Sequence, residues 1–334
     1  MSGKKHNGTR ALLAGLFSFV LVGTALFLLF NQQYIKDQIT VWSFKPPAKV
    51  QNLEKNINFT NKGAFYFYAQ QPEINGSTDF NKNCQRQEVG NPILGCYIAS
   101  RIYIFDVTNT QLNGIEEVTA AHETMHAIWE RMTMSERTRM SVLLEAAYAK
   151  LGSNANLKQR MDYYKRTEPG QFDNELFAIV GTEIPNLSPE LEAYYKQYFN
   201  DRQKVVDYQA KYAAVFSGLK SQSDSLYTQL KTLGASIEAR STQYDTNVKQ
   251  LSADIASFNA RANNGGFSSM NEFNTERAAL LKRSNQLDAD RASISAAIDT
   301  YNATYAEYQK VSSEIEALNK SIDSIKELQP TPSV

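Results

Sequence analysis

Hydrophobic and polar positions divide the chain into three regimes. Residues 11–30 read ALLAGLFSFVLVGTALFLLF, with no charge. At about 1.5 Å per residue such a helix is about 30 Å long, the thickness of bilayer hydrocarbon. Residues 31–61 are polar, contain Pro46-Pro47, and read as a juxtamembrane linker. From 62 to 187 the pattern changes every few residues. The aromatic run Gly63-Ala64-Phe65-Tyr66-Phe67-Tyr68 predicts a strand. Residues 101–107 alternate apolar and polar, which predicts a second strand with one buried face. Asn113 followed three places later by Glu116 is a helix-start signature, and the helix should run to about Met132. Ser135 caps a further helix that Gly152 ends. Pro169-Gly170 is a turn, and a helix from about Phe172 stops before Pro185. Residues 62–187 thus predict a small α+β domain of ordinary size.

The third regime, 188–328, is all helical. Ser188-Pro189-Glu190 combines a capping serine with proline in the first turn. Phe273, Leu280, Leu287, Ile294, Tyr301, Tyr308, Ile315 and Ile322 then recur every seven residues, the signature of a coiled-coil seam. A complementary row has two offsets, Ile298 and Tyr305 or Val311, Leu318 and Ile325. Upstream, Val205, Tyr212, Leu219, Leu226 and Leu233 form one heptad series, and Leu230, Ile237, Tyr244, Leu251 and Phe258 another. Asn263-Asn264-Gly265-Gly266 breaks the helix between the halves. A short break favours an antiparallel hairpin over two helices used in an intermolecular bundle. Residues 329–334 form a tail.

Charge and cysteine content place these regimes in a cell. Lys4, Lys5 and Arg10 lie in residues 1–10 before the apolar run, and only Lys36 and Lys45 lie just after it. The positive-inside bias puts residues 1–10 in the cytoplasm and the rest of the chain outside, as a single-pass membrane protein at the cell surface or in the periplasm. A cleaved signal peptide is the alternative. Its apolar core is normally shorter and ends in small residues, whereas this run ends Leu-Leu-Phe. The two cysteines, Cys84 and Cys96, suit a disulfide closing a small loop in an exported protein; two unrelated thiols are the alternative. The 35 basic and 35 acidic side chains cancel, which argues against nucleic acid as a partner.

The chemistry concentrates in Thr119-Ala120-Ala121-His122-Glu123-Thr124-Met125-His126, an H-E-x-x-H motif. His122 and His126, four apart on a helix, present both imidazoles on one face and can share one Zn²⁺. Glu123, one residue round, can reach a metal-bound water as general base. A catalytic zinc needs a third protein ligand, and the chain has three histidines, the remaining one being His6 before the apolar run. The third ligand is therefore expected to be a carboxylate on a later helix: Glu175, in an E-x-x-A pattern with Ala178, or else Glu183. Glu183 can also serve as a second-shell acid. Tyr163, Tyr164 and Arg166 are candidate donors to an oxyanion. Asp106 and Glu117 are candidates to orient a ligand imidazole.

His122-Glu123-x-x-His126 with a downstream Glu175 resembles the gluzincin class of zincin metallopeptidases, across residues 62–187. The resemblance implies an α+β catalytic domain in which the motif helix follows a sheet whose edge strand binds the substrate backbone, and it places the 101–107 strand in that role. It implies a membrane-anchored peptidase in which zinc activates a water, Glu123 takes its proton, and a peptide or protein is the substrate. The coiled coil would then position the domain, recruit substrate or make a homo-oligomer. Two other readings stand beside it: a non-catalytic membrane-tethered coiled-coil adaptor with a degenerate zincin domain, and a zinc-dependent hydrolase of cell-wall amides.

Overall fold

A computed structural model describes residues 6–84, 93–152 and 154–324. Helix α1 (His6–Phe30) contains the span Leu12–Phe30, long and apolar enough to cross a membrane and with none of it buried. The chain divides into two compact units: Met1–Val215 with Lys320–Val334, and Phe216–Asn319.

In the first unit the segment expected as a linker is folded. It forms α2 (Gln32–Ser43) and α3 (Ala48–Ile57). Helix α3 buries Val50, Leu53 and Ile57, a one-sided stripe at helical spacing that the polar composition masks. Helix α2 buries Asp37, which no apolar pattern announces. The expected strand at 63–68 is also a helix, α4 (Asn61–Ala69). Thr60 caps it, accepting from the Gly63 N–H at 3.1 Å. A consecutive aromatic run has no period-two alternation, and here it wraps a short helix that buries Phe67 fully. Gly63 is required, since a Cβ there would sit 2.2 Å from the Tyr198 carbonyl oxygen.

The sheet is small, set in a mainly helical unit. Strand β1 (Glu73–Asn75) leads through α5 (Ser77–Asn83) to β2 (Gly95–Ile98) and β3 (Arg101–Phe105), in the order β1-β3-β2. β1 lies parallel to β3, and β2 antiparallel to it, with Cys96 opposite Tyr103. The 101–107 strand is therefore central. Both its edges are paired, and β2 is the outer strand, which corrects the expected edge role. Cys84 and Cys96 lie at disulfide distance, sulfur to sulfur 1.96 Å, tying the end of α5 to β2.

Helix α6 (Ile115–Arg131) is the centre of the unit and is buried almost all round. Val118, Ala120, Ala121, Met125, Ala127 and Ile128 are buried. Its N-cap is Gly114 at φ +103°, rather than Asn113. Glu116 does not close a capping box; it accepts from the Val107 N–H at 2.9 Å and so ties α6 to the end of the sheet. In α7 (Met134–Lys150) the cap is Thr133 with Glu136, a true capping box, two residues earlier than Ser135. Helix α8 (Ala155–Thr167), capped by Asn154, fills the span before the 169–170 turn. Helix α9 (Phe172–Glu183) packs on α6, burying Leu176 to Thr182.

Helix α10 (Pro189–Tyr195) is capped by Ser188, and Tyr195 and Phe199 are buried in the first unit. The region after 188 is thus not hairpin from its start. Helix α11 (Arg202–Asn263) crosses into the second unit, and α12 (Met270–Ile322) follows the 264–269 break. Within the second unit the two helices run antiparallel. Phe258 meets Phe273 (ring centroids 5.1 Å apart), Asp254 meets Arg283 (2.6 Å) and Arg240 meets Ser293 (2.5 Å), and a Cβ on Gly234 would lie 3.7 Å from the Tyr301 ring. The main heptad row faces inward. Its complementary row runs through Ala297, Thr304, Val311 and Leu318, three residues after the first row, while Ile298 and Tyr305, four after it, are exposed. Ile325 and the 329–334 tail lie outside the described residues.

Candidate metal centre

Two helices build the site. α6 presents His122 and His126 one turn apart, with ring centroids 4.8 Å from each other. α9 presents Glu175 opposite them: His122 Nε2 is 3.6 Å from Glu175 Oε2, and His126 Nε2 is 3.4 Å from Oε1. α9 can approach because Ala178, one turn after Glu175, is fully buried. The three ligand atoms lie within 4.8 Å of one another. Metal bonds of about 2.0–2.1 Å at tetrahedral angles put neighbouring ligand atoms about 3.3–3.4 Å apart.

A tautomer argument points the same way. Asn174 Nδ2 donates to Gln171 Oε1 at 2.9 Å, which turns Asn174 Oδ1 toward His126 Nδ1 at 3.0 Å. Nδ1 then carries a proton and donates, and Nε2 faces the Glu175 carboxylate. The group His122, His126 and Glu175 could hold a metal ion. Asn174 is the residue that orients a ligand imidazole, and its place beside Glu175 is the sole sequence signal for it. The two acids expected in that role are engaged elsewhere. Asp106 binds Lys49, and Glu117 accepts from Asn56 at 3.0 Å.

Glu183 lies outside the group of His122, His126 and Glu175. Arg160 of α8 grips both its oxygens, at 2.7 and 2.8 Å, and Gln209 adds a third bond at 3.3 Å. Burial pushes the Glu175 carboxyl up, but His126, His122 and Arg160 overcome this and draw it down to about 2. Glu175 therefore stays ionised.

Glu123 is the buried acid beside this cluster. Burial pushes its carboxyl up to about 7; His126 opposes this, Glu175 adds to it, and a backbone N–H from Tyr97 opposes it. β2 lies directly over it. A Cβ on Gly95 would come within 2.8 Å of Glu123 Oε1 and 2.4 Å of Thr119 Cγ2, so only glycine fits. The Phe105 N–H donates to the Leu94 carbonyl at 2.8 Å, so alternate residues of this antiparallel pair, Gly95 and Tyr97, turn their backbone polar groups to the free edge.

Of the oxyanion candidates, Tyr164 is half-buried within electrostatic reach of Glu175 and Glu123. Burial first, then those two carboxylates, push its hydroxyl up, so it stays a neutral donor. Tyr163 packs edge-on to Tyr164, ring centroids 5.5 Å apart, and Arg166 is exposed; neither is brought to the cluster by a described contact. Comparison with protein-family models, with curated proteins and with solved structures gives no match to this chain.

Proposed function

We propose that the protein is a membrane-anchored zinc peptidase of the zincin type, with His122, His126 and Glu175 as ligands and Glu123 as general base. The observation that carries this reading is the convergence of His122, His126 and Glu175, whose ligand atoms lie within 4.8 Å of one another, with Glu123 buried beside His122. Glu175 is held ionised among imidazoles, while Glu123, close by, is tuned to about 7. Groups whose environments push their pKa values apart are the pattern of an acid–base site. Two histidines and one carboxylate form a donor set that suits zinc and leaves a fourth position open. When bound, zinc supplies a polarised carbonyl and a water acidified toward neutrality.

The chain's own residues do the rest. Glu123 accepts the water's proton and later delivers it to the departing amine nitrogen. Tyr164 is available to donate to the carbonyl oxygen as charge grows there. An extended peptide would pair with the free edge of β2, beside Gly95, and this favours a peptide over a cell-wall amide. The positive residues before α1, the apolar span and the cysteine bridge together support an extracytoplasmic location.

The test is Glu123→Gln in the full chain. The variant should keep its zinc and lose hydrolysis of a quenched fluorescent peptide library by at least about a hundredfold. Unchanged hydrolysis would remove Glu123 from the chemistry. Zinc without hydrolysis in the wild type would favour the adaptor reading.

A further inference from the structure

Helix α2 begins where the apolar span ends, with only Asn31 between them. Asn31 takes φ −110° and ψ 15°, outside helical values, so α1 and α2 are not one continuous rod. A rod continuing α1 along the membrane normal would lift Trp42 about 18 Å beyond the hydrocarbon, well past a headgroup layer about 5–7 Å thick.

One side of α2 is committed to the protein. Asp37 faces inward, where Arg131 at the end of α6 holds it through Nε at 2.6 Å and Nη2 at 2.8 Å. The Arg131 and Asp37 side chains are 6% and 4% exposed, and α2 also packs on α4. The opposite side is apolar and uncovered. Ile35, Ile39 and Trp42 fall at i, i+4 and i+7, which is one stripe of a helix, with Tyr34 at its edge. Trp42 is 78% exposed, and Ile39 and Tyr34 are each 57% exposed. A helix on the surface of a soluble protein turns its apolar stripe to the core and its charges to water. Helix α2 reverses this, with a carboxylate inside and a tryptophan outside. The reversal fits a helix whose outer medium is not water. Tryptophan and tyrosine are the side chains that gather where hydrocarbon meets headgroups. Lys36, exposed and next to the stripe, supplies a cation for lipid phosphates.

We propose that the Ile35–Ile39–Trp42 face of α2 lies in the headgroup–acyl boundary of the bilayer that α1 crosses, so that the first unit rests on the membrane through α2. Lipid is the occupant, rather than a second copy of the chain or another protein, because the span ends one residue before the helix and keeps the stripe near the membrane surface. Helix α2 is then gripped on both sides, by lipid outside and by Arg131 inside. Arg131 ends the helix that carries His122 and His126, so the candidate metal centre is held at one height above the bilayer. This surface follows from exposure and chain continuity, and holds whether or not the site hydrolyses peptides.

The experiment places the full chain in phosphatidylcholine nanodiscs, with both membrane faces open to solvent. Tryptophan emission is read with two quenchers: lipid brominated near the headgroup end of its acyl chains, and aqueous iodide. The chain has two tryptophans, and the other, Trp129, is buried in α6, so Trp42→Phe gives the Trp42 share by difference. Bromolipid should quench Trp42 at least about threefold, and iodide should lower its emission by less than about a fifth. The emission left in Trp42→Phe should not respond to bromolipid. Ile39→Gln, at an exposed position, should weaken bromolipid quenching of Trp42 about twofold or more. Strong iodide quenching without a bromolipid effect would put the stripe in water and overturn the proposal. Shielding from both quenchers would mean that protein covers the stripe, a second copy or another partner, and would also overturn it. Bromolipid quenching unchanged in Ile39→Gln would make α1 alone responsible for the position of Trp42, with the same consequence.

Discussion

The unit with the candidate metal centre and the helical hairpin are built from similar residues and hold together differently. In the first, α6 and α9 are enclosed: Leu176, Phe177, Ala178 and Ile179 are fully buried, and Phe177 stacks on Tyr195 at 5.1 Å. In the second, two helices cover one stripe each. Most seam residues, including Leu280 and Leu287, remain partly exposed, and Leu251 and Leu230 are among the few buried ones. A hairpin of this kind gets its stability from many modest contacts in series, whereas the enclosed unit depends on a few large ones. An enclosed unit can also carry buried charge, as in Glu123, Glu175 and the Asp37–Arg131 pair, where the hairpin keeps its ion pairs at the surface.

This contrast can be broken or sharpened in order of expected effect. Phe177→Ala should cost about 3–5 kcal/mol in urea unfolding followed by a first-unit probe, and leave the hairpin's transition in place. A loss shared equally by both transitions would mean that the units unfold as one. Zinc at about a thousand times its Kd should stabilise the first unit by about 4 kcal/mol and the hairpin not at all, with chelation reversing the gain.

Glu123→Gln should make the metal-free protein more stable at pH 8, by about 1–3 kcal/mol. Folding raises this carboxyl from its ordinary value to about 7. The folded wild type therefore holds a proton that the unfolded chain has released, and its stability falls as pH rises from about 4.5 to about 7. Near pH 4, where both states are protonated, variant and wild type should agree. Equal stability at pH 8 would mean that the carboxylate is solvated. In the hairpin, Leu280→Ala should cost only about 1 kcal/mol, because its side chain is partly in water already. Arg283→Ala, which breaks the exposed pair with Asp254, should cost under about 1 kcal/mol and still less in high salt.

The same contrast explains what the sequence disclosed. The hairpin and its break were legible, since a heptad row needs no partner beyond itself to be recognised. Only the second row misled, because Ile298 and Tyr305 lie one residue off the stripe. In the first unit the H-E-x-x-H helix and the α9 boundaries were legible from the motif and Pro185, although the capping box expected at Asn113 does not form. Glu175 over Glu183 was a preference, since the sequence does not show α8 bringing Arg160 to Glu183. Helices α2 to α4 were misread because their folding rests on tertiary contacts: Asp37 with Arg131, and Gly63 against Tyr198.

The central claim is that His122, His126 and Glu175 form one metal site. It is tested most directly by the zinc content of the full chain, purified and measured by mass spectrometry beside His126→Ala, Glu175→Ala and Glu183→Ala. About one zinc per chain in wild type and Glu183→Ala, lost in the other two, is the expected result. Zinc retained in Glu175→Ala, or absent from the wild type after reconstitution, would contradict it.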